Sequence, residues 1–292
     1  MKLYQMTSGA DLFMAAELPS GTIDLTRALQ RLTARSGIPS ISTIQELIRR
    51  PDASALLKEA AEFVQSGNIT DELSVPARAR VLAPISRPGK VLGMGKNYPS
   101  GKEAAKPNEP VVFLKASSSV IGPDEDILLP TAVGVTSFEA ELGVVIGRAG
   151  KRIDGENAME HVFGYTIVND VTALELLRQD RAAQQPWTRA KSYDTFTPCG
   201  PCIVTADEVG RTVELDILCR VNGEVKQHGN TRDLIFTIPE QIEFISSWTT
   251  LEPGDLIATG APPGSGPLVD GDRVECEIAG IGVLANTARA ER

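Results

Sequence analysis

The sequence predicts a β-rich α+β fold, and three features of the residue pattern support that prediction. Short apolar runs bounded by glycine and proline dominate the chain from about residue 81 onward, which is typical of β-strands. Helical periodicity is concentrated before that point, and it recurs in only two later segments. A doubly wound α/β fold needs a helix between most strands, so the pattern favours a mixed architecture instead.

The N-terminal part predicts a small α/β domain over residues 1–75. Residues 3–25 alternate short apolar runs with turn residues, which predicts small strands. From Leu25 to Gln65 the spacing of leucine and isoleucine is that of about three helices. The polar stretch from Gly67 to Arg80 indicates a connector. We therefore predict a second, larger domain over residues 76–292.

In the second domain, most expected elements are strands. The predicted strands cover residues 81–82, 90–94, 111–114, 142–146, 164–168, 215–221 and 273–278. One helix is expected from Thr172 to about Ala183, and another from about Pro239 to Trp248. Thr237 and Glu240, at the start of the second helix, have the spacing of a capping box.

The composition excludes several functional classes. The 292 residues include 29 Lys and Arg against 38 Asp and Glu, and this net charge of −9 argues against nucleic acid and anionic membranes as partners. No apolar run approaches the roughly 18 residues of a membrane helix, and no signal peptide is expected. Four cysteines are too few for a secreted disulfide scaffold. We therefore predict a soluble, cytoplasmic, globular protein, and the composition does not say what the protein binds.

Three carboxylates are candidates for a metal site. Glu139 and Glu141 lie two residues apart beside the apolar run Leu142–Ile146, so a strand there places both side chains on one face. Asp170 ends another apolar run and joins them if the two strands are neighbours. Clustered carboxylates resist ionising together unless a cation neutralises them, and an all-oxygen set suits Mg²⁺, Mn²⁺ or Ca²⁺. Spacing alone leaves open the alternative of a solvated strand face and a turn aspartate.

Basic and small residues elsewhere in the chain are candidates for the same site. Lys115 follows the apolar run 111–114, and Lys191 lies in the segment Arg189–Asp194. Thr259 and Gly260 belong to a glycine- and proline-rich segment that can offer a hydroxyl and backbone N–H groups to an anion. Taken singly, each of these residues also fits a surface lysine or an ordinary turn.

The segment Cys199-Gly200-Pro201-Cys202 has the spacing of a thioredoxin redox motif. That motif functions when its first cysteine opens a helix, whereas the following residues here, Ile203–Thr205, predict a strand. No second pair with this spacing completes a structural zinc site. We therefore expect these cysteines to serve packing.

A set of short motifs extends, in order, over roughly residues 88–288. They are Gly95-Lys96-Asn97-Tyr98, Phe113-Leu114-Lys115, Glu139-Ala140-Glu141-Leu142, Gly164-Tyr165 with Asn169-Asp170, Trp187 through Asp194, Gly200-Pro201, Asn222-Gly223, Pro253-Gly254-Asp255 and Thr259-Gly260. Each motif is short, but the ordered set is specific. By this set the chain resembles the fumarylacetoacetate hydrolase superfamily, whose members act on 2-oxo and 2,4-dioxo acids.

The resemblance implies a mixed β-roll/β-sandwich catalytic domain, a homodimer and a small 2-oxo acid substrate. It implies that Glu139, Glu141 and Asp170 bind Mg²⁺ or Mn²⁺ and that Lys191 is catalytic. The residues that it implies for substrate binding are Lys115, Tyr98, Thr259 and Gly260. A cation bound to such a substrate acts as a Lewis acid and stabilises an enolate, which hydrolysis, decarboxylation and isomerisation share.

The sequence departs from the family pattern at the positions that activate water. Family hydrolases usually carry a His and a Glu where this chain has Gly101 and Ala104, and Glu103 is the nearby acid that could partly substitute as a catalytic residue. On the helix after the third carboxylate, Leu174 and Leu177 occupy positions that usually hold Arg and Gln.

Three functions are consistent with this pattern. The first is metal-dependent hydrolysis of a C–C bond in an acylpyruvate-like 2,4-dioxo acid. The second is lyase or isomerase chemistry through the same enolate, which the missing His and Glu favour. The third is a non-catalytic organic-acid binder, which would bind a 2-oxo acid without turning it over.

Overall fold

The computed structural model describes residues 1–34, 40–67, 71–99 and 106–291. That part of the chain contains 18 strands, seven α-helices and five short 3₁₀ helices. The strands are β1 (Lys2–Ser8), β2 (Asp11–Leu18), β3 (Gly21–Asp24), β4 (Arg80–Leu82), β5 (Val91–Gly95), β6 (Val111–Lys115), β7 (Val120–Ile121), β8 (Asp126–Leu129), β9 (Thr136–Ser137), β10 (Ala140–Ile146), β11 (Val162–Asn169), β12 (Thr172–Ala173), β13 (Thr197–Thr205), β14 (Asp216–Val221), β15 (Glu224–Asn230), β16 (Leu256–Ala258), β17 (Arg273–Ile278) and β18 (Gly282–Ala290). The helices are α1 (Leu25–Thr33), α2 (Ile44–Ile48), α3 (Ala53–Gln65), α4 (Leu174–Ala182), α5 (Thr188–Lys191), α6 (Ala206–Val209) and α7 (Ile238–Trp248).

Most strands belong to two sheets that pack against each other. Over the described residues, the larger sheet has 11 strands in the order β3-β2-β1-β13-β11-β10-β16-β5-β6, with β4 beside β1 and β7 beside β13. The smaller sheet has five strands in the order β15-β14-β17-β18-β8. Side chains of β10 and β11 pack against those of β14 and β17 to form the main core. The predicted β-rich α+β architecture is therefore confirmed.

Strand β10 is buried along its whole length because both of its faces are covered. Leu142 faces the core between the two sheets, and Val145 faces a second core that includes the N-terminal helices. Because side chains alternate along a strand, Glu141 lies on the same face as Val145. Asp170 lies two residues beyond Val168 of β11, which pairs with Glu141. This register brings the acidic side chains of both strands to one face of the sheet.

The N-terminal segment extends the larger sheet. Strand β1 pairs antiparallel with β13, so that Leu3 lies opposite Ile203, and β2 and β3 continue the sheet beyond it. Helices α1 to α3 bury leucine and isoleucine side chains against the same sheet. The domain boundary near residue 75 stays a prediction, and residues 68–70 of the expected connector lie outside the described residues.

The helices agree with the sequence pattern except at one helix start and at two short helices. Helix α7 begins with the predicted capping box, in which the Thr237 N–H donates to Glu240 Oε2 at 2.8 Å. Helix α4 begins at Leu174 rather than at Thr172, because Thr172 pairs with Ser137 in a two-stranded sheet. Helices α5 and α6 have four residues each, which is too short for a periodic pattern. None of the described helices has the length and apolar character that crossing a membrane requires.

Candidate metal and active site

Three carboxylates converge where β10 begins and β11 ends. Glu139 directly precedes β10, Glu141 is the second residue of that strand, and Asp170 follows β11. The two strands are antiparallel neighbours, with Ala140 opposite Asn169. One oxygen from each of the three carboxylates lies within 4.8 Å of the others. The strand pairing on which the predicted cluster depended is therefore present.

Two buried ammonium groups lie against these carboxylates. Lys115, the last residue of β6, donates from Nζ to Asp170 Oδ1 at 2.6 Å and to the Lys191 carbonyl oxygen at 2.6 Å. Lys191, the last residue of α5, donates from Nζ to Glu139 Oε2 at 2.6 Å and also to Asp170 Oδ2. Three carboxylates therefore face two ammonium groups. This balance leaves one negative charge uncompensated when all five groups are ionised.

Burial and the neighbouring charges shift the pKa values of the site. Burial raises the pKa of Glu141 well above its ordinary value, and the carboxylates of Asp170 and Glu139 add to that shift. Burial also acts to raise the pKa of Asp170, but the ammonium groups of Lys115 and Lys191 outweigh it and lower that pKa. For Lys191 burial acts to lower the pKa, and the carboxylates of Asp170 and Glu139 outweigh it and raise that pKa. Such an excess of negative charge in a buried site is relieved by a bound cation.

The turn after β16 closes the site behind Glu141. The Gly260 N–H donates to Glu141 Oε2 at 2.8 Å, and Gly260 has a φ of +105°, which favours glycine. A Cβ at Gly260 would lie 2.7 Å from the Asn97 Cβ. Thr259 is fully buried, and its Oγ1 donates to the Leu142 carbonyl oxygen at 3.0 Å. In this structure the two residues hold Glu141 and β10 in place, and their contact with substrate stays a prediction.

Tyr98 has a buried hydroxyl group that finds no hydrogen-bond partner among the described residues. Its side chain lies within the protein, and burial raises the pKa of the phenol, with the charges of Glu141 and Asp233 adding to the shift. Buried polar atoms are nearly always paired, so an orphaned hydroxyl beside a carboxylate marks a place for a water molecule or a ligand. The prediction that Tyr98 binds substrate is compatible with this position.

Aromatic rings line the more open side of the site. Glu139 is the most exposed of the three acids, with 27% of its side chain accessible. The Lys191 Nζ lies 4.8 Å from the centroid of the Phe113 ring, and the Phe113 and Trp187 ring centroids are 5.6 Å apart. A Cβ at Gly95 would come within 2.4 Å of the Trp187 ring. Strand β5 therefore needs glycine at this position for the indole to lie against it.

The other sequence predictions have separate outcomes. Cys199 and Cys202 lie in β13, where both are buried, and burial raises the pKa of their thiols to about 12 and about 11. The expectation that they serve packing is confirmed. Glu103, the acid predicted to be catalytic, lies outside the described residues together with Gly101 and Ala104.

Sequence reasoning overlooks several polar residues that orient the acids. Asn169 Oδ1 accepts a hydrogen bond from the Glu139 N–H at 2.9 Å, and Thr172 Oγ1 donates to Glu139 Oε2 at 3.3 Å. Asn97 Nδ2 donates to the Thr259 carbonyl oxygen at 2.8 Å. Asn97 and Asn169 lie inside the ordered motifs, so the sequence could have indicated them. No sequence pattern indicates Thr172.

Comparisons with known proteins place this chain among enzymes of one family. Residues 90–289 match the family model described as Fumarylacetoacetate (FAA) hydrolase C-terminal. The chain is 40% identical over 252 residues to the Homo sapiens protein named oxaloacetate tautomerase FAHD2A, mitochondrial, and the match covers 79% of this chain and 80% of that protein.

Two solved structures match this chain over its full length. One is 5-carboxymethyl-2-hydroxymuconate delta-isomerase from Mycobacterium smegmatis, with a TM-score of 0.76, 32% identity and 100% of both chains covered. The other is maleylpyruvate hydrolase from Sphingobium sp. SYK-6 in complex with manganese (II) ion and pyruvate, with a TM-score of 0.79, 30% identity and 100% of both chains covered. The predicted fold type and the resemblance found in the sequence are thus confirmed. The similar proteins named above are a tautomerase, an isomerase and a hydrolase. The chain belongs to the fumarylacetoacetate hydrolase family.

Proposed function

We propose that this protein catalyses the metal-dependent keto–enol tautomerisation of a small 2-oxo acid such as oxaloacetate. The observation that carries the proposal is the buried set of Glu139, Glu141 and Asp170, with one oxygen from each within 4.8 Å of the others. Lys191 donates hydrogen bonds to two of these acids and supplies a proton-carrying group beside them. The 40% identity to a protein named oxaloacetate tautomerase supports the choice of reaction and substrate.

The residues present fit a divalent cation. All three side chains offer carboxylate oxygens, which are the ligands that Mg²⁺ and Mn²⁺ prefer in proteins. The raised pKa of Glu141 reflects burial and then repulsion from Asp170 and Glu139, which a cation would relieve. We propose Mg²⁺ as the resident ion, with Mn²⁺ or Ca²⁺ as alternatives. The manganese (II) ion in the maleylpyruvate hydrolase structure supports a divalent metal.

Tautomerisation needs negative charge on the keto oxygen to be stabilised and a proton to be moved between carbon and oxygen. When bound at the three acids, the cation supplies a Lewis acid for that oxygen. Lys191 holds an ammonium proton at Nζ, and its raised pKa keeps that group charged and able to stabilise an oxyanion. Lys115 ties Asp170 to the backbone of α5 and so positions Lys191. The Tyr98 hydroxyl, which has no hydrogen-bond partner among the described residues, offers a further hydrogen bond to the substrate.

The proposal is tested by following oxaloacetate by NMR, with Mg²⁺ and with EDTA. The exchange of the C3 protons for solvent deuterium reports enolisation, and the reaction without protein gives the background that Mg²⁺ alone causes. We expect protein-dependent exchange that EDTA stops and that Lys191→Met lowers strongly. Lys58→Met is the matched control, because Lys58 is an exposed residue of α3. Exchange at the background rate with every metal would contradict the proposal.

Hydrolysis of a C–C bond in an acylpyruvate-like 2,4-dioxo acid is the second candidate. It is supported by the full-length structural match to maleylpyruvate hydrolase. The Gly101 and Ala104 positions weigh against it, because the sequence offers no His there to activate water. If hydrolysis occurs, we propose Glu103 as the residue that assists water, and Glu103→Gln should then lower hydrolysis while leaving deuterium exchange unchanged. Formation of two acids from acetylpyruvate would identify a hydrolase, and release of CO₂ would identify a decarboxylase. Metal-dependent binding of oxalate without turnover of any 2-oxo acid would identify a binding protein.

The assembly and location of the protein are also proposals. We propose a homodimer, as the family resemblance implies, and light scattering of the purified protein gives the molar mass that tests it. We propose a cytoplasmic location, which the four free cysteines support because disulfides are rare in reducing compartments. The human relative is named as mitochondrial, so fractionation of the source cells is the deciding measurement.

A further inference from the structure

Arg181 presents an exposed guanidinium group that forms no ion pair with any described residue. It lies in the last turn of α4, and its Cζ lies 4.0 Å from the centroid of the Trp187 ring. Stacking on an aromatic face orients a guanidinium group while leaving its N–H donors free at the edge. Arg181 is therefore a positioned cation whose hydrogen-bonding capacity is available.

The ring under Arg181 belongs to the wall that leads to the carboxylates. Trp187 packs against Phe113, and Phe113 in turn lies under the Lys191 ammonium group. The wall is held in place because Trp187 lies against the Cα of Gly95, where no Cβ could fit. Lys191 thus stands at the inner end of this wall and Arg181 at its outer end.

Arg181 interacts electrostatically with Glu139, the most exposed acid of the site. Partial burial lowers the pKa of the Arg181 guanidinium, and the Glu139 carboxylate opposes that change. Glu139 is the acid with 27% of its side chain accessible, so this side of the site is the one that a ligand can approach. The ring contacts connect Arg181 to Lys191, and the electrostatic effect of Glu139 on Arg181 agrees with the two residues lying on one side of the site.

The apolar positions of α4 offer no hydrogen bond to a second anionic group. On α4, Leu177 is buried and Leu174 is half-buried, and neither side chain can donate a hydrogen bond. Phe113 and Trp187 present ring surfaces. A substrate with a carboxylate at each end would place one end at the three acids, and its far end would need a donor such as a guanidinium group, which binds carboxylates in a bidentate manner.

We propose that Arg181 binds the distal carboxylate of the substrate and selects dicarboxylic 2-oxo acids over monocarboxylic ones. This inference rests on the proposed function, since it assumes that the 2-oxo acid end of the substrate binds at Glu139, Glu141 and Asp170. It adds the residue that binds the other end of the substrate.

The experiment compares oxaloacetate with 2-oxobutyrate, in which a methyl group replaces the distal carboxylate. Deuterium exchange at C3 is measured for both compounds with Mg²⁺, above the protein-free background. For Arg181→Gln we expect kcat/KM for oxaloacetate to fall roughly 10- to 100-fold, which is the range for loss of a charge-assisted hydrogen bond, with little change for 2-oxobutyrate. Arg181→Lys should recover part of the loss, because lysine keeps the charge without the bidentate geometry.

The matched control is Arg211→Gln. Arg211 is exposed and follows β13 and α6 at the end of the sheet away from the carboxylates, since Thr205 of β13 pairs with Gly164 whereas Cys199 pairs with Val168 near Asp170. Its replacement changes the net charge by the same amount as Arg181→Gln does. We expect it to leave both compounds unaffected.

A binding readout that does not depend on turnover comes from tryptophan fluorescence. The chain has two tryptophans, so Trp248→Phe leaves Trp187 as the single reporter. Oxaloacetate should change the Trp187 emission by drawing the guanidinium group from the ring, 2-oxobutyrate should change it less, and Arg181→Gln should abolish the difference.

The outcomes separate the two proposals. If the wild type exchanges and binds both compounds but Arg181→Gln affects them equally, or affects neither, the role of Arg181 is refuted and the proposed function stands. If neither compound shows protein-dependent exchange or binding with any divalent metal, the proposed function fails and the role of Arg181 fails with it.

Discussion

The two ends of strand β16 each hold a buried carboxylate, and the two environments differ in charge balance. At the first end, Asp255 is fully buried and accepts hydrogen bonds from the backbone N–H groups of Lys90 at 2.9 Å and Glu252 at 2.8 Å, while Lys90 Nζ lies 2.7 Å from it. At the other end, Glu141 receives one backbone N–H, from Gly260, and faces two further acids.

This difference in charge balance indicates that Asp255 stabilises the fold, whereas the acids around Glu141 are available for chemistry. Asp255 has donors for both oxygens and a cation of its own, so its burial is compensated within the protein. The cluster around Glu141 has more carboxylates than ammonium groups, so part of its negative charge needs a partner from solution. Replacing each acid in turn is the direct way to test this distinction.

The largest effect is expected for Glu141→Gln. The change removes a proposed metal ligand and keeps the shape of the side chain and an acceptor for the Gly260 N–H. Loss of groups that merely orient metal ligands costs about 10- to 100-fold, so we expect metal-dependent exchange to fall by more than about 100-fold. Without metal the variant should be at least as stable as the wild type, because glutamine neither buries a charge nor has to take up a proton on folding. A variant that retains both activity and stabilisation by Mg²⁺ would show that this acid is not a ligand.

The second-largest effect is expected for Asp255→Asn, which should lower the stability of the protein and leave its activity unchanged. The amide group faces two N–H donors and Lys90 with only one acceptor oxygen, so we expect a loss of about 2–4 kcal/mol in the free energy of unfolding. Activity per folded molecule should be unchanged, because this end of β16 lies away from the triad. Urea unfolding measures the stability, and kinetics at urea concentrations below the unfolding transition measure the activity. A fall in kcat of the folded variant would contradict a purely structural role of Asp255.

A smaller effect is expected from pH. The pKa of Glu141 is raised in the folded state by burial and then by Asp170 and Glu139, so the metal-free fold favours its protonated form. The Glu141 carboxyl group contributes fully to the stability of the fold when the pH is below its pKa in the unfolded chain. This contribution is lost as the pH rises through its pKa in the folded protein. Because a cation needs the ionised acid, Mg²⁺ affinity should rise with pH by up to about tenfold per unit in that range.

Thermal unfolding with Mg²⁺ and with EDTA, measured between pH 5 and pH 8, tests this coupling. The stabilisation by Mg²⁺ should increase with pH in the wild type and should not do so in Glu141→Gln. An equal gain at every pH would show that the acid is already ionised in the metal-free protein.

The smallest effect is expected for Lys90→Met. The Lys90 side chain is 24% exposed, and Asp255 keeps its two backbone donors when the ammonium group is removed. We expect a loss of about 0.5–1 kcal/mol, which is the range for partly exposed ion pairs. A double-mutant cycle with Asp255→Asn gives the coupling between the two groups, and a value above about 2 kcal/mol would mean that the ion pair outweighs the backbone hydrogen bonds.

Much of the fold follows from local sequence pattern. The three N-terminal helices, helix α7 with its capping box and most strands of the larger sheet lie where apolar spacing predicts them. In the smaller sheet only β14 and β17 were predicted. The pattern does not detect α5, which has only four residues but carries Lys191. It also does not reveal that β1 joins the large sheet through β13, because that pairing links residues about 200 positions apart.

For the site, the sequence by itself determined which acids were candidates, since Glu139 and Glu141 share a face of any strand and the ordered motifs identify the family. It marked the turn containing Asp255 in the same way, with nothing to distinguish that acid from the others. Only the tertiary structure decided that Asp255 is compensated, that the cluster of three acids faces only two ammonium groups, and that Arg181 stacks on Trp187. The reason is physical: the charge balance of a buried group depends on donors and cations that distant segments bring to it, and no local pattern records that balance.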